Sequence, residues 1–140
     1  MVEEDTSKHL EFIQDAITRM ANNSFFLKGW TVTLVAALFA LAAQNVNFRF
    51  VVLAFFPIMA FWILDAYYLR QERLFRKLYD DVRAKDKTLI QTSPFSMNTL
   101  PFEKNVQSWI EIMFSKTLVI FYGMVILTVI IVIIAINPLK

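Results

Sequence analysis

The chain of 140 residues contains no cysteine, one histidine and two glycines, which excludes disulfide frameworks, the common Cys and His metal sites and glycine-rich phosphate loops. Hydrophobic residues make up 57% of the sequence and the net charge is only +2, so the placement of the charges is more informative than their sum. We expect no bound metal and no cofactor. The sequence contains no Ser-His-Asp arrangement or paired carboxylates that predict catalysis, so we expect a protein that is not an enzyme.

Residues 1–24 are predicted to form a cytoplasmic amphipathic helix. From Thr6 to Asn22, apolar side chains recur at the spacing of one helix face, at Leu10, Ile13, Ile17 and Met20. The polar residues 22–24 predict a break in this helix. Asn23 or Ser24 would then cap the next helix.

Residues 25–69 predict a transmembrane hairpin. The segments from Phe25 to Ala43 and from Phe50 to Leu69 are each long and apolar enough to cross the hydrocarbon core of a bilayer. The short polar turn between them makes the two spans antiparallel.

Residues 70–116 predict cytoplasmic helical extensions. The helical period of the second span continues, which predicts one unbroken helix from about Phe50 to about Lys85, roughly 50 Å long. Its buried stripe would consist of Leu74, Leu78 and Val82. Prolines with Ser, Thr and Asn mark a loop at 88–101. A second long helix is expected from Phe102 into the third span, and it would bury four side chains between helices, those of Val106, Trp109, Ile110 and Met113.

Residues 117–140 contain the third span and a short external tail. Twenty residues from Thr117 to Ile136 carry no charge, and at about 1.5 Å per residue they cross about 30 Å. Twelve of the fourteen Lys and Arg residues lie on one side of the spans or at its boundary, which by the positive-inside rule places the N-terminus inside and the C-terminus outside. The predicted fold is an all-α membrane protein with three transmembrane helices, N-in and C-out, and long cytoplasmic helical extensions.

Lys28 and Asp65 are the first candidate site residues, because an ionisable group at membrane depth is costly. The two residues are equally distant from the turn of the hairpin, so they should lie at a similar depth and can pair. The pair is interpreted either as an interfacial salt bridge that fixes the hairpin or as part of a conduction path or gate.

Small residues recur on the first span, at Gly29, Thr33 and Ala37 and at Ala36, Ala40 and Ala43. Such faces allow close approach of helices, either inside one subunit or between subunits. Three helices are too few to enclose an aqueous pore, so a conducting form would be a homo-oligomer. Thr33 is a further pore or gate candidate.

Basic side chains follow the second span. The ligand-binding candidates among them are Arg70, Arg73, Arg76, Lys77 and Arg83. Just below a cytoplasmic leaflet they would attract anionic lipid headgroups. The alternative is an anion site for a nucleotide or oligonucleotide, since Arg pairs with phosphates and nearby aromatic rings can stack on bases.

The first part of the chain resembles the small membrane effectors of bacterial nucleotide-signalling antiviral systems, including SLATT-type proteins and the Hailong-type channel. The resemblance lies in the segment RMANNSFFLKGW, which leads into a hairpin, and in the later segment FWILDAYYLRQERLFRKLYDDVR. The resemblance covers Glu11 to Arg83, and the third span departs from the usual two spans of SLATT proteins. It implies a homo-oligomeric ion channel that depolarises the bacterial inner membrane on infection. A nucleotide or oligonucleotide made by a partner nucleotidyltransferase would control it.

The channel hypothesis places Lys28 and Asp65 near the inner mouth of the pore and the basic stretch at a cytoplasmic ligand surface, with a partner protein as an alternative controller. A competing hypothesis is a membrane-anchored adaptor, in which the spans are anchors and the cytoplasmic helices dock a soluble partner. A holin-like or toxin peptide is a third hypothesis, which the large cytoplasmic part disfavours.

Overall fold

The computed structural model describes residues 2–45, 47–84 and 95–136 of the chain. Over these residues the protein is all-helical, and three of its helical segments are long and apolar enough to cross a membrane. In chain order the elements are α1 (Val2–Asn45), α2 (Phe48–Leu53), α3 (Phe55–Arg83), a 3₁₀-helix (Leu100–Asn105), α4 (Trp109–Met113) and α5 (Lys116–Ile136).

Helix α1 runs without interruption through the predicted polar break, so the expectation of a break at residues 22–24 is wrong. The intrinsic cost of Asn and Ser inside a helix is at most about 0.7 kcal/mol per residue, which packing along the whole of α3 outweighs. Ser24 does not cap a helix. Its side chain is buried against α3.

The second predicted helix runs from Phe48 to Arg83 as one spanning segment, so the expectation of a continuous helix is confirmed over the described residues, apart from one irregular turn at Ala54 between α2 and α3. Pro57 has no backbone N–H, and the Leu53 carbonyl therefore lacks its partner four residues later. A local turn forms instead, in which the Ala54 N–H donates to the Val51 carbonyl at 3.2 Å. Helix α3 then continues to Arg83, and Lys85 lies outside the described residues.

The expected long helix from Phe102 is also wrong. A 3₁₀-helix ends at Asn105, Val106 is extended (φ −118°, ψ 141°), and α4 begins after Ser108. Ser108 and Glu111 form a reciprocal capping box, which starts a new helix at this point. Of the predicted loop at 88–101, residues 88–94 lie outside the described residues.

Two hydrophobic clusters build the core. The first lies between the spans and includes Val35, Ile58 and Val129. The second lies between the extensions of α1 and α3 and consists of Ile13, Ile17, Leu74, Leu78, Val82 and Phe102. The predicted stripe Leu74, Leu78 and Val82 is therefore buried as expected.

The four side chains expected to bury in the last helix do so only in part. Val106 and Met113 are half-buried, whereas Trp109 and Ile110 are exposed. Ile112 is the fully buried residue of α4, because the capping box sets a different helical face toward α3 from the one that an unbroken helix would present.

Helices α1 and α3 are antiparallel, and α5 runs back alongside α3. We call the end of the bundle at Asn47 the turn end. The opposite end, at which α3 continues into Arg70–Lys77 and α5 begins at Lys116, is the basic end.

Candidate functional site

Asp65 is fully buried where the three spanning helices meet, near the basic end. Its carboxylate accepts hydrogen bonds from the Ser24 hydroxyl and the Lys28 ammonium of α1 and from the Tyr122 hydroxyl of α5. We call Ser24, Lys28, Asp65 and Tyr122 the polar cluster. It is the point at which one side chain of α3 is bonded to both other spans.

Lys28 and Asp65 form an ion pair, with 2.5 Å between Lys28 Nζ and Asp65 Oδ2. This is the pair that equal distance from the turn predicts. The Lys28 ammonium also donates to the Ser24 hydroxyl at 2.9 Å, and it lies 6.0 Å from the centre of the Phe121 ring. The lysine side chain keeps 22% of its surface exposed, whereas the carboxylate has none. Solvent or an ion can therefore contact the ion pair only at the Lys28 side chain.

Tyr122 attaches α5 to the cluster. Its hydroxyl donates to Asp65 Oδ2 at 3.0 Å, and its ring stacks on Trp62 of α3 at 5.7 Å between centroids and 8° between planes. The Trp62 indole N–H donates in turn to the Met113 carbonyl at the end of α4, at 2.9 Å. Thr31, also fully buried, donates to the Leu27 carbonyl at 2.7 Å.

The electrostatics of the polar cluster make it sensitive to the loss of any one member. Burying an ion pair costs several kcal/mol per ion, and the attraction of the pair offsets this only when other hydrogen bonds complete the site. Asp65 meets that requirement with three donors from two helices. A movement of α1 or α5 relative to α3 would break these bonds. The hydrogen bonds of the polar cluster therefore depend on the relative positions of the three spans.

Thr33 is not part of the polar cluster. Its side chain is exposed and donates to the Gly29 carbonyl at 2.9 Å. The other small residues of this helix face are exposed as well, at Gly29, Ala36, Ala37, Ala40 and Ala43. The interpretation in which this face packs inside one subunit is therefore wrong, because α3 contacts a different side of α1, at Val35 and Ala42.

The basic candidates separate into two groups. Arg73, Arg76 and Lys77 line one pocket beside the link between the 3₁₀-helix and α4. Arg70 does not line it, and its Nε is buried with no hydrogen-bonding partner among the described residues. Arg83 is exposed at the C-terminal end of α3, away from that pocket.

Two members of the polar cluster, Ser24 and Tyr122, are absent from the candidates that the sequence suggested. Ser24 precedes Lys28 by four residues, so the two side chains lie on one helix face, and that spacing was a usable signal. Tyr122 stands near the start of an otherwise apolar span, but nothing in the sequence relates the rotation of α5 to Asp65. No group of three or more His, Asp or Glu residues in the described parts of the chain is arranged to hold a metal ion.

Comparison of the chain with models of protein families, with curated proteins and with solved structures gives no significant match.

Proposed function

We propose that the chain is one subunit of a homo-oligomeric ion channel, without enzymatic activity, in the bacterial inner membrane. Its opening would depolarise that membrane in antiviral defence, as the sequence resemblance implies. The observation that supports the proposal is the polar cluster, in which a fully buried carboxylate pairs with a lysine between three apolar helices. Ionisable residues inside membrane spans are rare and mark ion paths or gates.

The cluster is suited to a gate because it joins the spans of one subunit. In the closed arrangement Asp65 would hold α1 and α5 through Lys28 and Tyr122. Displacement of either helix would free the carboxylate and the ammonium to face an aqueous path. Lys28 and Asp65 would then lie near the inner mouth of the pore, as the charge distribution of the sequence predicts.

Assembly of several copies is required, since three helices are too few to line an aqueous pore. The exposed face of small residues on α1, which includes Gly29 and Thr33, supports this part of the proposal. Small residues allow the backbones of neighbouring membrane helices to approach closely. Thr33 would lie at a subunit contact or at the pore, and both positions need a second copy.

Control from the cytoplasm is the third part of the proposal. The controller would be a nucleotide or oligonucleotide from a partner nucleotidyltransferase, or a partner protein. The cations at the basic end support an anionic ligand, since Arg and Lys bind phosphates through charge-assisted hydrogen bonds. The candidates remain Arg70, Arg73, Arg76, Lys77 and Arg83.

A membrane-anchored adaptor is the second candidate function. The observation that favours it is the second hydrophobic cluster, which packs the extension of α1 against that of α3 into a stiff helix pair. Such a pair offers a stable surface to a soluble protein without any conduction. The polar cluster would then serve only to fix the anchor.

The test is the membrane potential of bacteria that express the chain alone, followed with a voltage-sensitive dye. A channel that is open by default predicts rapid depolarisation that Asp65→Asn and Lys28→Ala alter. The matched control is Asp15→Asn, because Asp15 is an exposed acid on the same long helix as Lys28.

Reconstituted protein separates the two candidate functions. In planar bilayers a channel passes a current that Asp65→Asn changes and Asp15→Asn does not. Complete absence of current, from protein that remains folded and oligomeric, would contradict a channel that is open by default and would leave a channel that needs an activator or the adaptor. If Asp65→Asn, Lys28→Ala and Asp15→Asn all depolarise cells to the same extent, the polar cluster is not part of the gate.

A further inference from the structure

A pocket of about 330 Å³ opens at the basic end between α3 and the link that follows the 3₁₀-helix. We call it the basic pocket. Three cations of α3, Arg73, Arg76 and Lys77, form one wall. The facing wall consists of Asn105, Val106 and Gln107, and the side-chain amides of Asn105 and Gln107 are groups that can donate hydrogen bonds. The basic pocket therefore presents charged and neutral donors toward one volume.

The charges of the pocket are only partly balanced. Arg76 pairs with Glu72 of its own helix at 2.8 Å, and Asp80 also lines the pocket. Arg73 donates to the neutral Gln107 side chain, and Lys77 has no anionic partner among the described residues. Since an Arg side chain has five N–H donors, Arg73 retains donors for a ligand after its bond to Gln107. The pocket consequently keeps an excess of positive charge.

The position of the basic pocket along α3 indicates which anions can reach it. Arg73 follows Leu69, the last residue of the apolar run, by four residues, which corresponds to about 6 Å along a helix. The headgroup region extends roughly 5–7 Å beyond the hydrocarbon core on each side. Arg73 therefore lies at the level of lipid phosphates, and Lys77 lies one turn further out, where soluble anions have access.

We propose that the basic pocket binds a phosphate group, held by Arg73 and Lys77 and by the side-chain amides of Asn105 and Gln107. The phosphate is either that of a lipid headgroup in the adjacent leaflet or that of a soluble phosphate compound. The role of this site in gating rests on the proposed function. Binding itself requires no conduction, so a channel that fails to conduct leaves the proposal intact.

The site also has a physical connection to the polar cluster. Gln107, bonded to Arg73, directly precedes the cap residue of α4. The end of α4 accepts the Trp62 N–H at Met113, and Trp62 stacks on Tyr122. A phosphate held by both Arg73 and Gln107 would therefore act on the segment that leads directly into α5.

The test is ³¹P NMR of phosphate probes added to the purified full chain in a detergent without phosphorus. One arm uses short-chain phosphatidylglycerol and the other uses inorganic phosphate. The variant Arg73→Gln/Lys77→Gln should weaken binding by roughly tenfold or more, because two charge-assisted hydrogen bonds are lost. The matched control Arg19→Gln/Lys116→Gln removes one exposed arginine and one exposed lysine outside the pocket and should leave binding unchanged.

Each outcome is decisive for the site. Pocket-dependent binding of phosphatidylglycerol alone assigns a lipid headgroup, and pocket-dependent binding of inorganic phosphate assigns a soluble ligand. If neither probe binds, or if both double variants weaken binding equally, the proposal is overturned. Lys77→Gln alone provides a second variant, because Lys77 is exposed and makes no bond to the protein among the described residues.

Discussion

At the scale of single residues, Tyr122 is the member of the polar cluster whose contribution can be isolated most cleanly. Tyr122→Phe removes the hydroxyl that donates to Asp65 and keeps the ring that stacks on Trp62. Hydrogen bonds between membrane helices contribute about 0.6 kcal/mol on average and up to about 1.7 kcal/mol. We expect a loss of stability in this range, measured by thermal unfolding in detergent.

The matched control for that substitution is Tyr67→Phe, because Tyr67 lies on the same helix as Asp65 and is 49% exposed. Its hydroxyl makes no side-chain bond among the described residues, so the change should leave stability within about 0.5 kcal/mol of the wild type. Equal stability of the two variants would mean that the Tyr122 hydroxyl contributes nothing to the docking of α5.

The ion pair gives a second prediction at this scale. Lys28→Met leaves Asp65 buried without its cation, and breaking a buried pair in this way costs about 3–5 kcal/mol. Adding Asp65→Asn removes the unpaired charge. The double variant should therefore be more stable than Lys28→Met alone in the same unfolding assay. A double variant that unfolds at a lower temperature than both single variants would contradict the pairing.

At the scale of elements, the extension of α1 and α3 depends on packing rather than on the membrane. Leu78 is fully buried in the second hydrophobic cluster, and Leu78→Ala should cost about 2–5 kcal/mol because it leaves a cavity. Leu100→Ala is the control, since Leu100 is 67% exposed. Protease sensitivity of the extension should rise in Leu78→Ala only, with the spans still resistant.

The elements that the sequence predicts correctly are those whose boundaries depend on local pattern. The three spans follow from length and hydropathy, and the Lys28–Asp65 pair follows because a hairpin relates residues by their distance from the turn. The irregular turn at Ala54 and the new helix after Ser108 also have local signals, in Pro57 and in the capping box with Glu111. The helical period continues across both sites, and this longer pattern outweighs the local signals in a prediction from sequence.

The contacts that the sequence does not predict depend on how α5 is rotated. Tyr122 meets Asp65 only because Leu118, Tyr122 and Val129 all face the hairpin, and an almost uniformly apolar span contains no periodicity that selects this face. The position of the basic pocket has a similar origin. It requires the link before α4 to fold back on α3, which no local residue pattern specifies.

At the scale of the whole molecule, the chain consists of a packed extension and a bundle of spans with much apolar surface left uncovered. Large apolar side chains remain exposed on α1 and α5, for example Phe25 at 72% and Met124 at 65%. Lipid covers such side chains at no cost in a membrane. The face of small residues on α1 differs, because it leaves a shallow surface that another helix fits better than a lipid chain does.

Homo-oligomer formation through that face gives the last prediction. Gly29→Leu adds a side chain where no atom of the same chain lies within 4 Å of an added Cβ, so the subunit should fold unchanged. Between copies, however, the leucine would hold the helices apart. Gly123→Leu is matched in chemistry and in open space, but its neighbours four residues away, Val119 and Leu127, are large. The mass of the complex, measured in nanodiscs by mass photometry, should fall for Gly29→Leu and stay at the wild-type value for Gly123→Leu. An unchanged mass for both variants would place the subunit contact elsewhere. A monomeric mass for the wild type would contradict the homo-oligomer on which conduction depends.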